Sequence, residues 1–446
     1  MGSVFSAANA IPELNEVSLN ETCKRQKMSS STFDEESPRL IPNLPDELSL
    51  QILARLPRIS YFNVRLVSRK WKATIMSPEL YEVRKELGTS EEWLYLLIKV
   101  GEYKQQWYAV DPHSQIWQRL PTMPKVAEEQ ESRKSSSKLW MWNMVEGAVD
   151  GCLYVLGGFS KASTTSSVWR FDPMQNTWSK VTPMSTGRAY CKTGILNNKL
   201  YVVGGVSQGQ AGLIPLQSAE VFDPSTDTWS DVPSMPFSKA QVMPTVFWAD
   251  MLKPIATGLT SYMGRLCVPQ SLYSWPFFVD VGGEIYDPET NSWIEMPTGM
   301  GEGWPARQAG SKLSVVVDGE LYAFDPSNSA DSGRIKVYDQ GEDAWKVVIG
   351  KVPIHDSANS ESPYLLAGFH GKLHVITKDA NHDVAVLRAD LRNNRDCSSP
   401  SISSTSSSSS SSSHSAAESD AVVWKESASA LMRLPLSVFF VKVSAR

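Results

Sequence analysis

Histidine is the first residue type in this chain that could carry chemistry, because it is the commonest metal ligand in proteins. Of the six histidines, His370, His374 and His382 lie close together in the sequence. His370 and His374 fall at opposite ends of an expected strand, and no cysteine or carboxylate cluster of fixed spacing accompanies them. The sequence therefore predicts no metal site.

Paired glycines at 157–158, 204–205 and 282–283 could be mistaken for phosphate-binding loops. Such loops lead into a helix, whose N-terminus holds the anion. These pairs instead follow short apolar runs, so we interpret them as turns that end strands. No Ser-His-Asp elbow, P-loop or paired-carboxylate motif emerges either. We therefore expect no catalytic site and no cofactor.

Aspartates recur ahead of tryptophans at a constant spacing of six residues, and in four of the five cases proline follows the aspartate. The pairs are Asp111 and Trp117, Asp172 and Trp178, Asp223 and Trp229, Asp287 and Trp293, and Asp339 and Trp345. Catalytic residues would not be copied into every repeat. We expect each aspartate to cap a turn and each tryptophan to pack between neighbouring sheets.

Short strands precede the repeated pairs, as at 150–158 and 198–205, and turns rich in proline and methionine follow them. Repeats of several short strands, recurring about every 50 to 60 residues, are typical of a β-propeller. A sixth, altered unit consists of 371–376, 384–390 and a late Trp424. The sequence thus predicts six blades.

The first repeat supplies only three strands where four are expected. The apolar segment 436–443 near the end of the chain is a plausible fourth, which would close the ring and remove open sheet edges. A serine-rich tract at 398–415 is too polar to pack, and we expect it to be a disordered insertion in the last blade.

Two arginines, Arg188 and Arg307, occupy equivalent positions after a turn. If they ring one mouth of the propeller, they could bind an acidic or phosphorylated segment of another protein. The alternative is that each is a structural residue bonded to turn carbonyls. Long segments at 205–220 and 267–280 are stronger candidates for specificity, because loops on rigid scaffolds carry recognition.

Upstream of the repeats, residues 1–39 have the composition of a disordered arm, and residues 40–90 have helical periodicity. Pro45 suits a first helical turn and Pro57 ends that helix. A second helix is expected to place Val64, Val67 and Trp71 on one face, and a third is expected to begin at Pro78. Such a small unit buries little area, so its apolar stripes suggest a partner.

Residues 41–87 resemble an F-box, the helical motif that binds a Skp-type adaptor in cullin-based SCF ubiquitin ligases. The region from 91 to 446 resembles kelch repeats, with its Leu-Tyr-Val-x-Gly-Gly strand and its Tyr/Phe-Asp-Pro-x-x-x-x-Trp ending. The whole is similar to plant F-box/kelch-repeat proteins. The resemblance implies a small all-α, three-helix F-box domain followed by an all-β kelch propeller. It also implies adaptor contacts at Leu44, Pro45, Asp46, Leu48, Ile52, Leu53, Leu56, Pro57, Val64, Val67 and Trp71.

By this resemblance the chain is a non-catalytic substrate receptor: its F-box binds the adaptor, and through it a cullin, while its propeller binds an unknown target protein. Two alternatives stay open. The chain could be an F-box scaffold without degradative output, or a propeller enzyme.

Composition limits the compartment and the partners. The 446 residues are 41% hydrophobic and 20% charged with a net charge of -5, which argues against nucleic-acid binding. Five isolated cysteines fit reduced thiols, so we expect cytoplasm or nucleus. The chain begins with a Met-Gly-x-x-x-Ser pattern, and we expect membrane association only if Gly2 is myristoylated.

Overall fold

The structure is a computed structural model, and it describes a large part of the chain. The described residues are 39–100, 104–111, 116–124, 145–160, 163–210, 212–238, 253–274, 277–304, 314–325, 332–353, 364–378, 384–390, 423–430 and 439–444. Gly2, the expected arm, the serine-rich tract, His382 and Arg307 lie outside them. The expectations made for those residues stay predictions.

Short helices form the first domain: α1 (Asp46–Ala54), a 3₁₀ turn (Arg58–Ser60), α2 (Tyr61–Val64), α3 (Arg69–Ile75) and α4 (Pro78–Glu86). Helix α1 follows Pro45 and carries Asp46 and Glu47 in its first turn, where negative charge stabilises the positive end of the helix dipole. Helix α4 begins at Pro78, as predicted, and its N-cap Ser77 accepts a hydrogen bond from the Leu80 amide.

The second expected helix is interrupted. Helix α2 ends at Val64, and Ser68 then adopts an extended conformation with ψ of 166°. Its hydroxyl accepts the Trp71 backbone N–H at 3.1 Å, which caps a new helix. The expectation of one helical face shared by Val64, Val67 and Trp71 was therefore wrong, because the Ser68 cap separates α2 from α3.

Six antiparallel sheets of four or five strands follow in the described part of the chain, and each is a propeller blade. The strands of blades 1 to 3 are β1 (Glu92–Val100), β2 (Lys104–Val110), β3 (Trp117–Arg119), β4 (Val145–Val149), β5 (Cys152–Leu156), β6 (Phe159–Ser160), β7 (Ser163–Thr164), β8 (Val168–Asp172), β9 (Thr177–Val181), β10 (Lys192–Leu196), β11 (Lys199–Val203), β12 (Val206–Gly209), β13 (Gly212–Pro215), β14 (Ala219–Asp223) and β15 (Thr228–Val232). Strands β6–β7 and β12–β13 are small hairpins inserted after the second strand of blades 2 and 3.

The remaining blades are built in the same order. Their elements are β16 (Lys253–Ala256), β17 (Thr260–Tyr262), β18 (Arg265–Ser274), β19 (Phe277–Asp287), β20 (Ser292–Glu295), α5 (Thr298–Glu302), β21 (Ser314–Val317), β22 (Glu320–Asp325), β23 (Ser332–Asp339), β24 (Ala344–Pro353), β25 (Tyr364–Phe369), β26 (Lys372–Lys378), β27 (Val384–Asp390) and β28 (Val423–Ala430). A further strand, β29 (Phe439–Ser444), follows blade 6 in the sequence.

The ring closes as the sequence predicted. Strand β29 pairs with β1 and completes blade 1 in the order β29-β1-β2-β3. The first strands of successive blades contact one another around the whole ring, from β29 through β4, β10, β17, β21 and β25 back to β29. Closure leaves no open edge on the inner strands. In blade 6, Trp424 pairs with Ala389, the register that the repeated tryptophans occupy in the other blades.

Four of the five repeated aspartates cap turns, as expected, and residues 112–115 after Asp111 lie outside the described ranges. Asp172 accepts the Met174 amide, Asp223 accepts the Ser225 amide, and Asp287 accepts the Glu289 amide, each within 3.0 Å. This is the side-chain turn for which aspartate is suited.

The repeated tryptophans join neighbouring blades. The ring nitrogens of Trp178, Trp229, Trp293 and Trp345 donate to Pro121, Thr182, Pro233 and Met300, respectively, at 2.6–3.0 Å. Each acceptor carbonyl lies at the exit of the preceding blade. Each of these indoles also packs against the aromatic residue before the repeated aspartate, as Trp229 does against Phe222 at 5.1 Å.

Two expectations in blade 4 were wrong. The glycine pair 282–283 does not end a strand but lies inside β19, where its pairing with β18 shifts register beside Pro269. A β-carbon on Gly283 would meet the Val268 carbonyl oxygen at 2.5 Å, so glycine is required there. Residues 267–274 and 277–280 are not part of a long loop either, since they form the extended ends of β18 and β19.

The two faces of the ring carry different connections. On one, the turn face, lie the turns between first and second strands, such as Asp150–Gly151, and those between third and fourth strands, such as 173–176. On the other, the loop face, lie the β6–β7 and β12–β13 hairpins. Strand β1 begins at Glu92 on the turn face, so the helical domain lies on that face.

Candidate functional site

Four large apolar side chains of the helical domain are exposed, and we refer to this set as the apolar strip. Leu48 and Ile52 lie one turn apart on α1 and are 48% and 45% exposed, and Leu66 and Val67, in the turn after α2, are 78% and 63% exposed. Four large apolar side chains so exposed on one small domain are unusual for a surface that faces only water. Leu48, Ile52 and Val67 are among the adaptor contacts that the resemblance implies, and Leu66 is not, although it lies between Val64 and Val67.

The opposite side of α1 forms the core of this domain. Leu50, Leu53 and Ala54 are buried there with Ile75 and Leu80. Leu53 is 1% exposed, so it holds the domain together and does not face a partner. Leu56, Val64 and Trp71 are partly buried against the same core. Of the remaining residues singled out in the sequence, Pro45 and Pro57 are exposed and Leu44 is half-buried.

The Asp46 side chain accepts hydrogen bonds at the N-terminal end of the helical domain. Its carboxylate accepts the Leu40 backbone N–H at 2.7 Å and the Lys70 ammonium at 2.8 Å. The Leu40 amide, followed by the Lys70 hydrogen bond, lowers the pKa of Asp46 below its ordinary value. Both carboxylate oxygens are therefore engaged within the domain, which gives Asp46 a structural role beside the apolar strip.

Glu91 joins the helices to the propeller. One of its carboxylate oxygens accepts the Arg58 backbone N–H at 3.0 Å and the Arg84 guanidinium at 3.3 Å. Its other oxygen accepts the Trp93 indole N–H at 3.0 Å. A single side chain thus bonds to the 3₁₀ turn, to α4 and to strand β1.

Arg84 and Met174 strengthen the same junction. Arg84 is buried and donates to the Ala54 and Leu56 carbonyl oxygens, which closes the C-terminal end of α1. Met174, from the third-to-fourth-strand turn of blade 2, packs into the helical core. The sequence reasoning missed both residues, because their partners lie far away in the chain.

On the propeller, Arg188 is fully buried. Its Nε and Nη2 atoms donate to the Glu220 carboxylate at 3.0 and 2.7 Å. Nη1 donates to the Gly204 and Ser218 carbonyl oxygens, and Nη2 also donates to the Ser218 hydroxyl. These five bonds use all five donors of the guanidinium group. The geometry favours the structural interpretation of Arg188 over contact with a ligand.

A protein-family model described as the F-box domain matches residues 41–83, and one described as "FKB95, Kelch-repeats domain" matches residues 131–398. The F-box/kelch-repeat protein At1g22040 of Arabidopsis thaliana is 61% identical over 95% of this chain and 96% of its own length. This chain belongs to the F-box/kelch-repeat proteins. Two other Arabidopsis thaliana relatives are more distant: F-box/kelch-repeat protein At1g30090, 28% identical over 64% of each chain, and F-box protein AFR, 29% identical over 65% of this chain and 69% of its own.

F-box domains generally bind Skp-type adaptors, and kelch propellers bind target proteins. In this F-box/kelch-repeat protein the F-box match spans the exposed strip of Leu48, Ile52, Leu66 and Val67. The kelch match spans blades 2 to 5 and the first three strands of blade 6. The family assignment thus agrees with the division into helices and propeller blades.

Burial shifts the pKa values of several titratable side chains of the propeller. Within the described ranges, no cluster of three or more His, Cys, Asp or Glu residues could hold a metal ion. Burial lowers the pKa of His374 to about 4, and it raises the pKa values of Cys152 and Cys267 to about 12. At neutral pH these side chains are therefore uncharged. No helix in the described part of the F-box/kelch-repeat protein is long and apolar enough to span a membrane.

Proposed function

We propose that this protein is a non-catalytic substrate-recognition subunit of an SCF-type ubiquitin ligase. Its F-box binds a Skp-type adaptor, and through it a cullin, while its propeller binds the protein to be ubiquitinated. The observation that carries the proposal is the exposed strip of Leu48, Ile52, Leu66 and Val67 on a domain that already has a core of its own. Such a surface gains free energy when a partner removes it from water.

The two faces of the propeller support this division of labour. The F-box lies on the turn face, and the hairpins β6–β7 and β12–β13 project from the loop face. A target bound to the loop face would leave the adaptor strip accessible. The bonds of Glu91 hold the two surfaces in a fixed relation, so a bound target keeps a constant orientation to the adaptor.

The first test measures affinity for a purified Skp-type adaptor. The double variant Leu48→Ser/Ile52→Ser removes the α1 part of the strip, and Ile294→Ser is its control, since Ile294 is as exposed as Ile52 but lies on strand β20. Anchors worth roughly 2 kcal/mol each predict a loss of at least thirtyfold for the double variant. Ile294→Ser should bind as the wild type does.

Equal adaptor affinity of all three proteins would exclude Leu48 and Ile52 as adaptor contacts, and a folded wild type with no measurable affinity would refute the adaptor-binding role. A second measurement addresses ubiquitin transfer. Proteins that the wild-type chain captures from cell extract are incubated with that chain, the adaptor, the cullin and the ubiquitin-loading enzymes. Ubiquitin transfer to a retained protein supports the ligase role. Adaptor binding without any transfer would instead favour the non-degradative scaffold.

A further inference from the structure

Ser68 lies directly after the most exposed part of the apolar strip. Leu66 and Val67 are 78% and 63% exposed, and Ser68 is exposed as well. All three residues lie between two helices, since α2 ends at Val64 and α3 begins at Arg69. A hydroxyl group thus borders the proposed adaptor surface.

The sequence around Ser68 is strongly basic. Residues 65–72 read Arg-Leu-Val-Ser-Arg-Lys-Trp-Lys, with four positively charged side chains and no negatively charged one. Arg65 lies three residues before Ser68, and a kinase whose substrate groove carries carboxylates selects a serine by an arginine at this spacing. Such a carboxylate binds the guanidinium group through two parallel hydrogen bonds. The segment therefore has the charge pattern of a kinase substrate.

The local structure allows a kinase to reach this pattern. The backbone at Ser68 is extended, with φ of -158° and ψ of 166°. Two backbone hydrogen bonds, donated by Leu66 and Val67 at 3.0 and 3.1 Å, hold the preceding turn. The Arg65 guanidinium carbon lies 4.7 Å from the centre of the Phe62 ring, a contact that is weak at a surface. A short surface segment held in this way opens at low cost while the helices beside it stay folded.

A phosphate group on Ser68 would oppose burial of the apolar strip. Phosphoserine carries a charge of about -1.5 to -2 at neutral pH. A partner that covers Leu66 and Val67 would take much of this charge out of water, which costs free energy unless an opposite charge compensates it. Arg69 and Lys72 are exposed, and ion pairs formed by exposed side chains contribute little. The neighbouring positive charges therefore do not offset the cost.

We propose that Ser68 is a phosphorylation site, and that its modification by a protein kinase that selects arginine releases the adaptor. The Ser68 Oγ attacks the γ-phosphorus of ATP and forms a new P–O bond. The bond from that phosphorus to the oxygen that bridges the β- and γ-phosphates breaks, ADP leaves, and the hydroxyl proton passes to a carboxylate of the kinase. This deepens the proposed function, on which it rests, by adding a means of turning the adaptor contact off.

The role of Ser68 as a helix cap decides which variants are informative. Its hydroxyl accepts the Trp71 backbone N–H at 3.1 Å, so alanine would remove the cap of α3. Aspartate and asparagine both accept this hydrogen bond and have nearly the same shape. Ser68→Asp and Ser68→Asn therefore differ mainly in one negative charge. Melting temperatures establish that both variants are folded.

The test uses the full chain, ATP and calmodulin-dependent protein kinase II, a kinase that selects arginine three residues before serine. Mass spectrometry of the peptide that contains Ser68 measures its phosphorylation, and titration with a purified Skp-type adaptor measures the affinity before and after treatment. Ser68→Asn receives the same treatment, because Ser136 and Ser398 also follow an arginine by three residues. A protein phosphatase then removes phosphate from the wild-type chain, so the effect is also tested without any substitution.

We expect phosphate on Ser68 of wild type to lower adaptor affinity roughly tenfold or more, and the phosphatase to restore it. Treated Ser68→Asn should bind as untreated wild type does, and Ser68→Asp should bind more weakly than Ser68→Asn. Absence of phosphate on Ser68, or equal affinity of phosphorylated and untreated wild type, would overturn the proposal and leave the ligase role intact. No measurable adaptor affinity in untreated, folded wild type would refute the adaptor-binding role itself, and this proposal with it.

Discussion

The guanidinium carbon of Arg58 lies 4.4 Å from the centre of the Trp93 ring. Arg58 belongs to the helical domain and Trp93 to the first propeller strand, and both side chains are buried. A cation stacked on an aromatic face and shielded from water is held more firmly than one at the surface. The F-box and the propeller therefore form a joint with a defined geometry.

Replacing Glu91 with alanine should loosen this joint. The change leaves the buried Arg84 without its ionic partner and removes the acceptor of the Arg58 amide and the Trp93 indole. Loss of one partner of a buried pair typically costs about 3–5 kcal/mol, and the partial exposure of Glu91 reduces this to roughly 2 kcal/mol. Urea denaturation measures the change. Glu86→Ala, at an exposed position of α4, is the control, and equal stability of the two variants would contradict a structural role for Glu91.

Arg188→Lys should destabilise the propeller although it keeps the charge. Lysine cannot reproduce the fork that bonds Glu220, Gly204 and Ser218 together. We expect a loss of about 2–3 kcal/mol in the free energy of unfolding, measured by tryptophan fluorescence in urea. Arg119→Lys, at an exposed position of β3, should change it little. A stable Arg188→Lys variant that fails to bind its target would instead indicate a direct contact.

Two substitutions of Trp229 can separate the contribution of its hydrogen bond from that of its ring packing. Trp229→Phe removes the indole N–H that donates to the Thr182 carbonyl at 2.9 Å but keeps a ring against Phe222. This should cost about 1 kcal/mol. Trp229→Ala also removes the ring and should cost about 3–5 kcal/mol. Calorimetric melting compares the two, and a phenylalanine variant as unstable as the alanine variant would show that the hydrogen bond dominates.

His374 should make stability depend on pH in mildly acidic solution. Burial lowers its pKa from 6.5 to about 4, so the folded protein holds this side chain neutral. Between pH 6.5 and 4 the unfolded chain therefore binds more protons than the folded chain. The contribution of neutral His374 to stability is complete above pH 6.5 and is lost as the pH falls toward 4. The free energy of unfolding should drop by on the order of 3 kcal/mol by pH 4.

The variant His374→Gln separates this effect from other titrations. Asp223 and Asp287 have pKa values below the ordinary 3.8, so their contributions are lost only at lower pH. Urea midpoints measured at pH 7, 5.5 and 4 should fall steeply for wild type and less for His374→Gln. Parallel curves for the two proteins would exclude His374 as the source.

The blades could be predicted from sequence because their information is local. An aspartate that caps a four-residue turn fixes the spacing to the tryptophan on the next strand, so one pattern specifies both strands and their register, as at Asp223 and Trp229. Helix α1 shows why the binding site was harder. It carries apolar residues on both sides, Leu48 and Ile52 on one and Leu50 and Leu53 on the other. Periodicity alone cannot tell which side faces the core.

The contacts that could not be predicted from sequence join residues far apart in the chain. Arg188 bonds to Glu220 in the following blade, and Glu91 bonds to Arg58 across 33 residues of sequence. No local pattern signals either pairing. The positive φ of Tyr190, +56°, likewise has no signature in the local sequence.

Strand β29 makes the propeller dependent on the order of synthesis. It is the last strand in the sequence but pairs with the first, with Ser444 opposite Glu92. The ribosome must therefore complete every other blade before the ring can close, whereas the F-box helices emerge early. A messenger truncated before the codon for Phe439 would yield a receptor with an intact F-box and an open first blade. We expect that product to occupy the adaptor without retaining a target, and so to inhibit the full-length protein when both are made in one cell.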